Sequence, residues 1–210
     1  MLVEDKIKHI YPILLKMFPD ARCELNYNNL YELVVAVMLS AQTTDKAVNL
    51  VTPDLFKRYP DLESLSNASV DEVRTYIKSI GLYHNKSVNI INMAKQVITK
   101  YNGVIPNNLD ELKSLPGIGQ KTANVVLVEW FKIPRIPVDT HVNRVAKRLK
   151  LAYINDDVTD VERKLKKKIP KEMWIQMHHS MIFFGRYFCK AVSPSCDKCE
   201  LKGKCRVNYK

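Results

Sequence analysis

Four cysteines lie close together near the end of the chain. They are Cys189, Cys196, Cys199 and Cys205, separated by six, two and five residues. In a reducing compartment, clustered thiols bind metal more often than they form disulfides. Zinc is usually held by cysteine pairs about two to four residues apart, and only the middle spacing fits that pattern. The spacing therefore predicts a metal centre and leaves both zinc and an iron–sulfur cluster open.

A second group of residues combines glycines with a lysine. Residues 115–121 read Leu-Pro-Gly-Ile-Gly-Gln-Lys between two apolar helical patterns. Glycines permit a tight turn, and the free N–H groups of a helix that begins directly after it can bind phosphate. A plain connection whose glycines serve packing is the alternative, and the flanking Leu115 and Lys121 favour a clamp on the DNA backbone. The predicted clamp residues are Pro116, Gly117, Ile118, Gly119 and Gln120.

Lys121 is a candidate nucleophile. It falls in the first turn of its predicted helix, where a cation faces the positive end of the helix dipole at a cost of ~0.3–1 kcal/mol. This placement suggests chemistry rather than stability. The same field, with partial burial and nearby basic residues, should lower the lysine pKa and supply the neutral amine that Schiff-base chemistry needs. The alternative is a solvated lysine that contacts phosphate.

Asp139 is the candidate carboxylate. It follows Val138 and precedes a predicted helix, so its simplest role is that of an N-cap worth ~1 kcal/mol. Capping is compatible with catalysis, because helix N–H groups keep a carboxylate ionised. A fixed negative charge can stabilise a sugar oxocarbenium ion, and it could also exchange protons with Lys121.

The composition of the chain limits its possible fold class, binding partner and localisation. The chain has 210 residues, 46% of them hydrophobic, only 6 glycines, and a formal charge of +11. Long amphipathic stretches with few glycines predict an all-α protein. Such a basic chain usually binds a polyanion, with nucleic acid as the default partner, although a lysine-rich proteome would give the same charge. The sequence shows no signal peptide and no membrane span, so we expect a cytoplasmic, nucleoid-associated protein.

The apolar periodicity predicts the helices that must position these residues. Ser69 is expected to open one of them with a capping box, and residues 108–131 form helix, glycine hairpin and helix. The predicted helices cover residues 2–18, 30–41, 45–59, 69–81, 84–101, 108–114, 120–131, 139–149, 157–168 and 171–188.

In these features the chain resembles the endonuclease III branch of the helix-hairpin-helix DNA glycosylases. The resemblance spans nearly the whole chain. Its motifs are residues 39–45 (Leu-Ser-Ala-Gln-Thr-Thr-Asp), 81–86 (Gly-Leu-Tyr-His-Asn-Lys), 115–127, 138–148 and the cysteine cluster.

The resemblance implies the roles of individual residues. Lys121 would be the nucleophile and Asp139 the catalytic carboxylate, and the four cysteines would hold a [4Fe–4S] cluster. Gln42 and Leu82 would enter the DNA stack and fill the gap left by a flipped nucleotide. Without the resemblance, Gln42 would be read as a buried hydrogen-bonding residue and Leu82 as a helix-cap contact.

The resemblance also implies two lobes and a reaction. A six-helix barrel domain would cover residues 23–134, and residues 1–22 with 135–210 would form the cluster domain. The expected activity is that of a bifunctional DNA glycosylase and AP lyase, acting as a monomer on duplex DNA with oxidised pyrimidines or abasic sites. The rivals are an adenine-mismatch glycosylase, a noncatalytic DNA-binding module and a zinc-stabilised structural protein.

Several DNA contacts depart from the family pattern or rest on position alone. Gln120 stands where many relatives carry a basic residue, and Lys190 is the only basic residue between the first two cysteines. The cluster is therefore expected to be mainly structural. Arg144 and Arg148 follow the Asp139 turn and are candidate phosphate contacts, with a solvated helix face as the alternative.

Overall fold

The protein is helical throughout the part of the chain that is described. The structure, a computed structural model, describes residues 3–206, with side chains from Lys6 onward, and contains no strand in that range. This confirms the predicted all-α class. No helix within this range is long and apolar enough to cross a membrane. The helices are α1 (Val3–Met17), α2 (Leu30–Leu39), α3 (Asp45–Arg58), α4 (Leu62–Ser66), α5 (Val70–Ile77), α6 (Tyr83–Tyr101), α7 (Leu109–Ser114), α8 (Gln120–Glu129), α9 (Thr140–Arg148), α10 (Val158–Lys168) and α11 (Trp174–Phe183).

The chain divides into two compact units. One consists of residues 24–133, and the other combines residues 1–23 with residues 134–210 so far as they are described. The glycine hairpin and Lys121 belong to the first of these units, and Asp139 and the four cysteines belong to the second.

The unit of residues 24–133 is built around α2. Residues 31–39 are all buried, as a helix that is apolar on every side requires. Asn29 starts the helix by accepting a hydrogen bond from the backbone N–H of Glu32 at 2.9 Å. Helices α3, α6 and α8 pack against α2, while α4 and α5 pack against α6.

Within residues 24–133, all of which are described, there are seven helices rather than the expected six. The additional one is α4, which has only 5 residues and was missed because it is too short to show apolar periodicity. Asp61 and Ser64 form its capping box, whereas Ser69 precedes α5 without making the predicted side-chain cap. Local hydrogen bonding, rather than an apolar stripe, defines α4.

The other unit packs α9 against α10 and α11, and α11 against α1. Its core includes Leu14, Val145, Leu165 and Met181. The prediction of one continuous helix over residues 171–188 is wrong in detail. A 3-10 turn at Lys171–Met173 begins it after a proline, and a π-helical turn at Phe184–Phe188 ends it.

The approach of the π-helical turn to α9 depends on a glycine. A Cβ atom placed on Gly185 would lie 2.9 Å from the Cβ of His141 and 3.1 Å from Cγ2 of Val145. A larger residue would push the turn away from α9, so Gly185 fixes the spacing between Asp139's helix and the segment that leads to the first cysteine.

Candidate active site and cluster loop

The glycine hairpin joins α7 to α8 as the sequence predicted. Its apolar residues Leu115 and Ile118 are buried, at 2% and 4% exposure, and anchor the turn. Gly117 has a left-handed backbone with φ of +76°. Gly119 precedes α8 with an extended backbone and provides no side-chain cap. The first N–H groups of α8 thus lack a side-chain partner at the cap position, as an anion-binding helix end requires.

Lys121 is the second residue of α8 and is exposed, as is Gln120 before it. The expected partial burial is therefore wrong. The inward face of the helix is taken by Ala123 and Asn124, at 0% and 1% exposure, which leaves Lys121 on the outer side. The first turn of α8 contains no acidic residue. Lys121 is thus an accessible amine at the positive end of a helix, without a neighbouring acid in that turn.

Asp139 occupies the N-cap of α9, as predicted. Its Oδ1 accepts a hydrogen bond from the backbone N–H of Val142 at 2.7 Å. The preceding Val138 and Ile136 are buried and hold the approach to the helix in place. The carboxylate is therefore fixed in orientation by the start of its own helix.

Gln42 and Leu82 share an uncommon backbone geometry. Both adopt left-handed conformations, with φ of +53° and +59°, which non-glycine residues rarely do. Both are exposed, and Leu82 is 52% exposed despite its apolar side chain. The two turns are neighbours, because a Cβ on Gly81 would lie 3.7 Å from the backbone oxygen of Gln42. The structure thus brings together two residues that are far apart in the sequence.

Arg144 and Arg148 do not project from a solvated helix face. Arg144 donates from Nη2 to the backbone oxygen of Gly185 at 2.7 Å and from Nε to that of Cys189 at 3.3 Å. Arg148 is buried and lies within hydrogen-bond distance of the backbone oxygens of Cys189 and Lys190, at 3.0 and 2.7 Å. Both guanidinium groups thus support the segment that carries the first cysteine, and their assignment as phosphate contacts stays a prediction.

His141 links the Asp139 turn to this arginine pair. Its Nδ1 lies 3.2 Å from Nη2 of Arg144. Burial lowers the pKa of His141, and the charges of Arg144 and Arg186 act in the same direction against the raising effect of Asp139. A neutral imidazole is therefore favoured. In the sequence, only its position two residues after Asp139 points to His141.

The four cysteines are half-buried and surround one cavity. Its volume is about 50 Å³, and Phe184, Phe188 and Leu201 line its apolar side. Burial raises the pKa of the Cys199 thiol, and the other three cysteines raise it further. Lys190 is exposed beside this cavity's first cysteine.

The arrangement of the sulfurs bears on the kind of metal centre. Among the described residues, no three histidine, cysteine, aspartate or glutamate side chains are grouped to hold a single metal ion. A tetrahedral zinc site needs four sulfurs about 2.3 Å from one point. An iron–sulfur cluster also takes four cysteine thiolates, one for each iron, and the four cysteines here line one cavity. The N–H groups of Arg148 add a donor 3.2 Å from Sγ of Cys189, which suits a thiolate.

Comparison with known proteins supplies the family. Residues 35–171 match the HhH-GPD superfamily of base excision DNA repair proteins. The chain is 52% identical over 194 residues to Endonuclease III of Bacillus subtilis (strain 168), covering 92% of this chain and 89% of that protein. The chain belongs to the endonuclease III family of the HhH-GPD superfamily. It is also 46% identical over 199 residues to Endonuclease III of Rickettsia felis, covering 95% and 93% of the two chains.

A solved structure agrees with this assignment. The structure of a trapped endonuclease III–DNA covalent intermediate superimposes with a TM-score of 0.94 at 50% identity and covers 98% of this chain and 97% of that chain. The family resemblance inferred from the sequence is thereby confirmed. As a member of the endonuclease III family, the protein is a base excision repair DNA glycosylase with AP lyase activity, and the noncatalytic alternative is not favoured.

Proposed function

We propose that the protein excises oxidised pyrimidines from duplex DNA and cleaves the strand through a Schiff base on Lys121. The observation that carries this proposal is the position of Lys121, an exposed amine in the first turn of α8, directly after the glycine hairpin. An exposed amine at this position is accessible to a sugar carbon and can act as a nucleophile. The endonuclease III relative that was trapped as a covalent intermediate with DNA supports a covalent route.

The chemistry proceeds in two stages. The Nζ of Lys121 attacks C1′ of the damaged nucleotide, loses a proton, and displaces the base, which leaves with the electrons of the glycosidic bond. Opening of the sugar ring then gives an iminium linkage between Nζ and C1′. Removal of a proton from C2′ expels the 3′ phosphate by β-elimination, and water hydrolyses the iminium to release the enzyme. At an abasic site Nζ adds to the C1′ aldehyde, and water leaves to give the same iminium linkage.

Asp139 would act on the charge that develops at the sugar. Its carboxylate is held by the backbone N–H of Val142, so no reorientation is needed when the oxocarbenium ion forms. A fixed carboxylate can stabilise that cation and can carry a proton to or from the lysine. This role concerns the transition state and is distinct from the N-cap role that it also fills.

The DNA contacts that we propose lie mainly in the unit of residues 24–133. The hairpin residues 116–120 would hold a backbone phosphate at the start of α8. Gln42 and Leu82 would occupy the space left by the flipped nucleotide. Lys190, exposed in the cysteine loop, would add one phosphate contact. Solved structures of endonuclease III bound to DNA support DNA as the partner.

The proposed cofactor is a [4Fe–4S] cluster held by Cys189, Cys196, Cys199 and Cys205. When bound, it would supply a covalent cross-link between segments that have little regular structure of their own. Arg148 would orient the first ligand by binding the backbone oxygen of Cys189 itself and that of the next residue, Lys190. The protein would act as a monomer in the cytoplasm, associated with the nucleoid.

The test is borohydride trapping on duplex DNA that contains thymine glycol. Borohydride reduces the iminium to a stable amine, so the wild type should form a covalent adduct of protein and DNA. Lys121→Gln should form none and should retain its fold and DNA binding. Lys113→Gln provides a matched control, because Lys113 is an exposed lysine in α7, the helix that precedes the glycine hairpin. A Lys121→Gln adduct equal to that of the wild type would remove Lys121 as the nucleophile.

A further inference from the structure

One lysine of the unit of residues 24–133 is buried where a cation is unfavourable. Lys86 is 6% exposed and lies in the first turn of α6, at the positive end of the helix dipole. That turn contains no acidic residue, and no carboxylate of the described residues forms an ion pair with Lys86. Burial lowers the pKa of its ammonium group. Lys86 is thus a cation that is buried, lies at the positive end of a helix and has no acidic partner among the described residues. Each of these features costs stability, so their combination points to a functional constraint.

The single polar side-chain contact of Lys86 crosses between two turns. Its Nζ donates to Oγ1 of Thr43 at 2.8 Å. Thr43 follows Gln42 directly, and the backbone N–H of Lys86 donates to the oxygen of Leu82 at 3.0 Å. Lys86 is therefore bonded to the Leu82 turn through its main chain and to the Gln42 turn through its side chain.

These two turns are the ones that carry strained, exposed residues. Gln42 and Leu82 both adopt left-handed conformations, which persist only where surrounding contacts hold them. Gly81 adds a close approach, because a Cβ there would lie 4.0 Å from Oγ1 of Thr43. Within residues 24–133, all of which are described, the hydrogen bond from Lys86 is the one side-chain bond between the two turns, so it holds them in their relative position.

We propose that Lys86 is a positioning residue that holds the Gln42 and Leu82 turns together as a single wedge for opening the DNA duplex. The inference rests on the proposed function, because the wedge has a use only if the two residues enter the DNA stack. Prior fixation of both turns removes the conformational entropy that two independent loops would lose on insertion. Lys86 itself is too buried to contact a phosphate.

The experiment compares Lys86→Met, Thr43→Val and wild type on a duplex with tetrahydrofuran, a stable abasic analogue, opposite 2-aminopurine. Insertion of the wedge beside 2-aminopurine changes its fluorescence without any chemical step. Each variant removes the hydrogen bond, and both should weaken insertion about tenfold, which corresponds to about 1.4 kcal/mol. Lys95→Met, an exposed lysine changed on the same helix, should insert like the wild type.

Two further readouts distinguish positioning from other roles. Replacement of a buried charge by an apolar side chain of similar volume is often neutral or stabilising, so Lys86→Met should keep or raise its melting temperature. The slope of log affinity for undamaged duplex against log salt should stay the same, whereas loss of a phosphate contact would reduce it by about 0.9. Thr43→Val also removes the 3.4 Å bond from Oγ1 to the backbone oxygen of Ala41. The double variant should therefore weaken insertion no more than Thr43→Val alone, because the bond to Lys86 is already lost in that variant.

The outcomes separate this inference from the proposed function. Normal insertion by both single variants, a reduced salt slope for Lys86→Met, or no insertion by the wild type would each overturn the inference. If Lys86→Met does not fold, Thr43→Val alone decides it. A wild type that inserts but neither releases base nor forms a trapped adduct would refute the proposed function and leave the wedge intact.

Discussion

Alanine substitutions at Gly103, Gly117 and Gly119 separate two causes of instability, which are backbone strain and a steric clash of the added Cβ atom. Gly103 and Gly117 both have left-handed backbones, with φ of +78° and +76°. A Cβ on Gly117 would lie 2.8 Å from the Cβ of Asn89, whereas no heavy atom lies within 4 Å of one on Gly103 or Gly119. Gly119 has an ordinary extended backbone. Alanine therefore meets strain and a clash at Gly117, strain alone at Gly103, and neither at Gly119.

The expected changes in unfolding free energy follow from these differences. A left-handed alanine costs about 1–2 kcal/mol, which is the prediction for Gly103→Ala. Overpacking adds about 1–3 kcal/mol, because the Cβ of Asn89 is not a flexible side-chain end that can move aside. Gly117→Ala should thus lose about 2–5 kcal/mol, while Gly119→Ala should lose no more than about 1 kcal/mol, the cost of placing alanine at the N-cap of α8. Urea denaturation of the three variants measures all three values.

Gly119→Ala should instead affect DNA binding. The open space beside Gly119 at the start of α8 is where the proposed phosphate would approach the main chain. A methyl group there would weaken duplex binding about tenfold, equal to about 1.4 kcal/mol, and reduce the salt slope by about 0.9. Gly103→Ala is the control with normal affinity. Normal DNA binding by Gly119→Ala would contradict the proposed phosphate contact. A loss of stability as large as that of Gly117→Ala would contradict the open space beside Gly119.

Two further predictions concern the unit that carries the cysteines. Arg148→Met removes the Arg148 bond to the backbone oxygen of Lys190 and one of the two arginine bonds to that of Cys189. Hydrogen bonds to a charged donor are each worth about 1.5–3 kcal/mol, so the segment should loosen, and iron content and brown absorbance should fall. Unchanged iron per protein would contradict this. Because burial lowers the pKa of His141, the unfolded chain binds a proton first as the pH falls below about 6.5. The free energy of unfolding of the wild type should therefore fall below that pH, and that of His141→Gln should fall less. Parallel pH profiles of unfolding free energy for the two proteins would show that His141 does not have a lowered pKa.

Much of the fold could be predicted because its determinants are local. Apolar periodicity located the long helices, and Asn29 and Asp139 each cap a helix through a bond to a residue three positions onward. Periodicity failed where an element is short or changes its hydrogen-bond pattern. Helix α4 rests on one capping box, and the π-helical turn at Phe184–Phe188 packs against α9 through a glycine.

The candidate site shows the same division between local and distant determinants. The hairpin around Gly117 and the cysteine spacing are contiguous patterns, so the sequence by itself determined the family and its expected chemistry. The burial of Lys86 and its bond to Thr43 join residues 43 positions apart. Likewise, Arg148 reads as one more cation on a basic helix until the fold places the backbone of Cys189 against it. Which charged side chains face solvent and which support a loop depends on contacts between distant segments, and only the tertiary structure decided that.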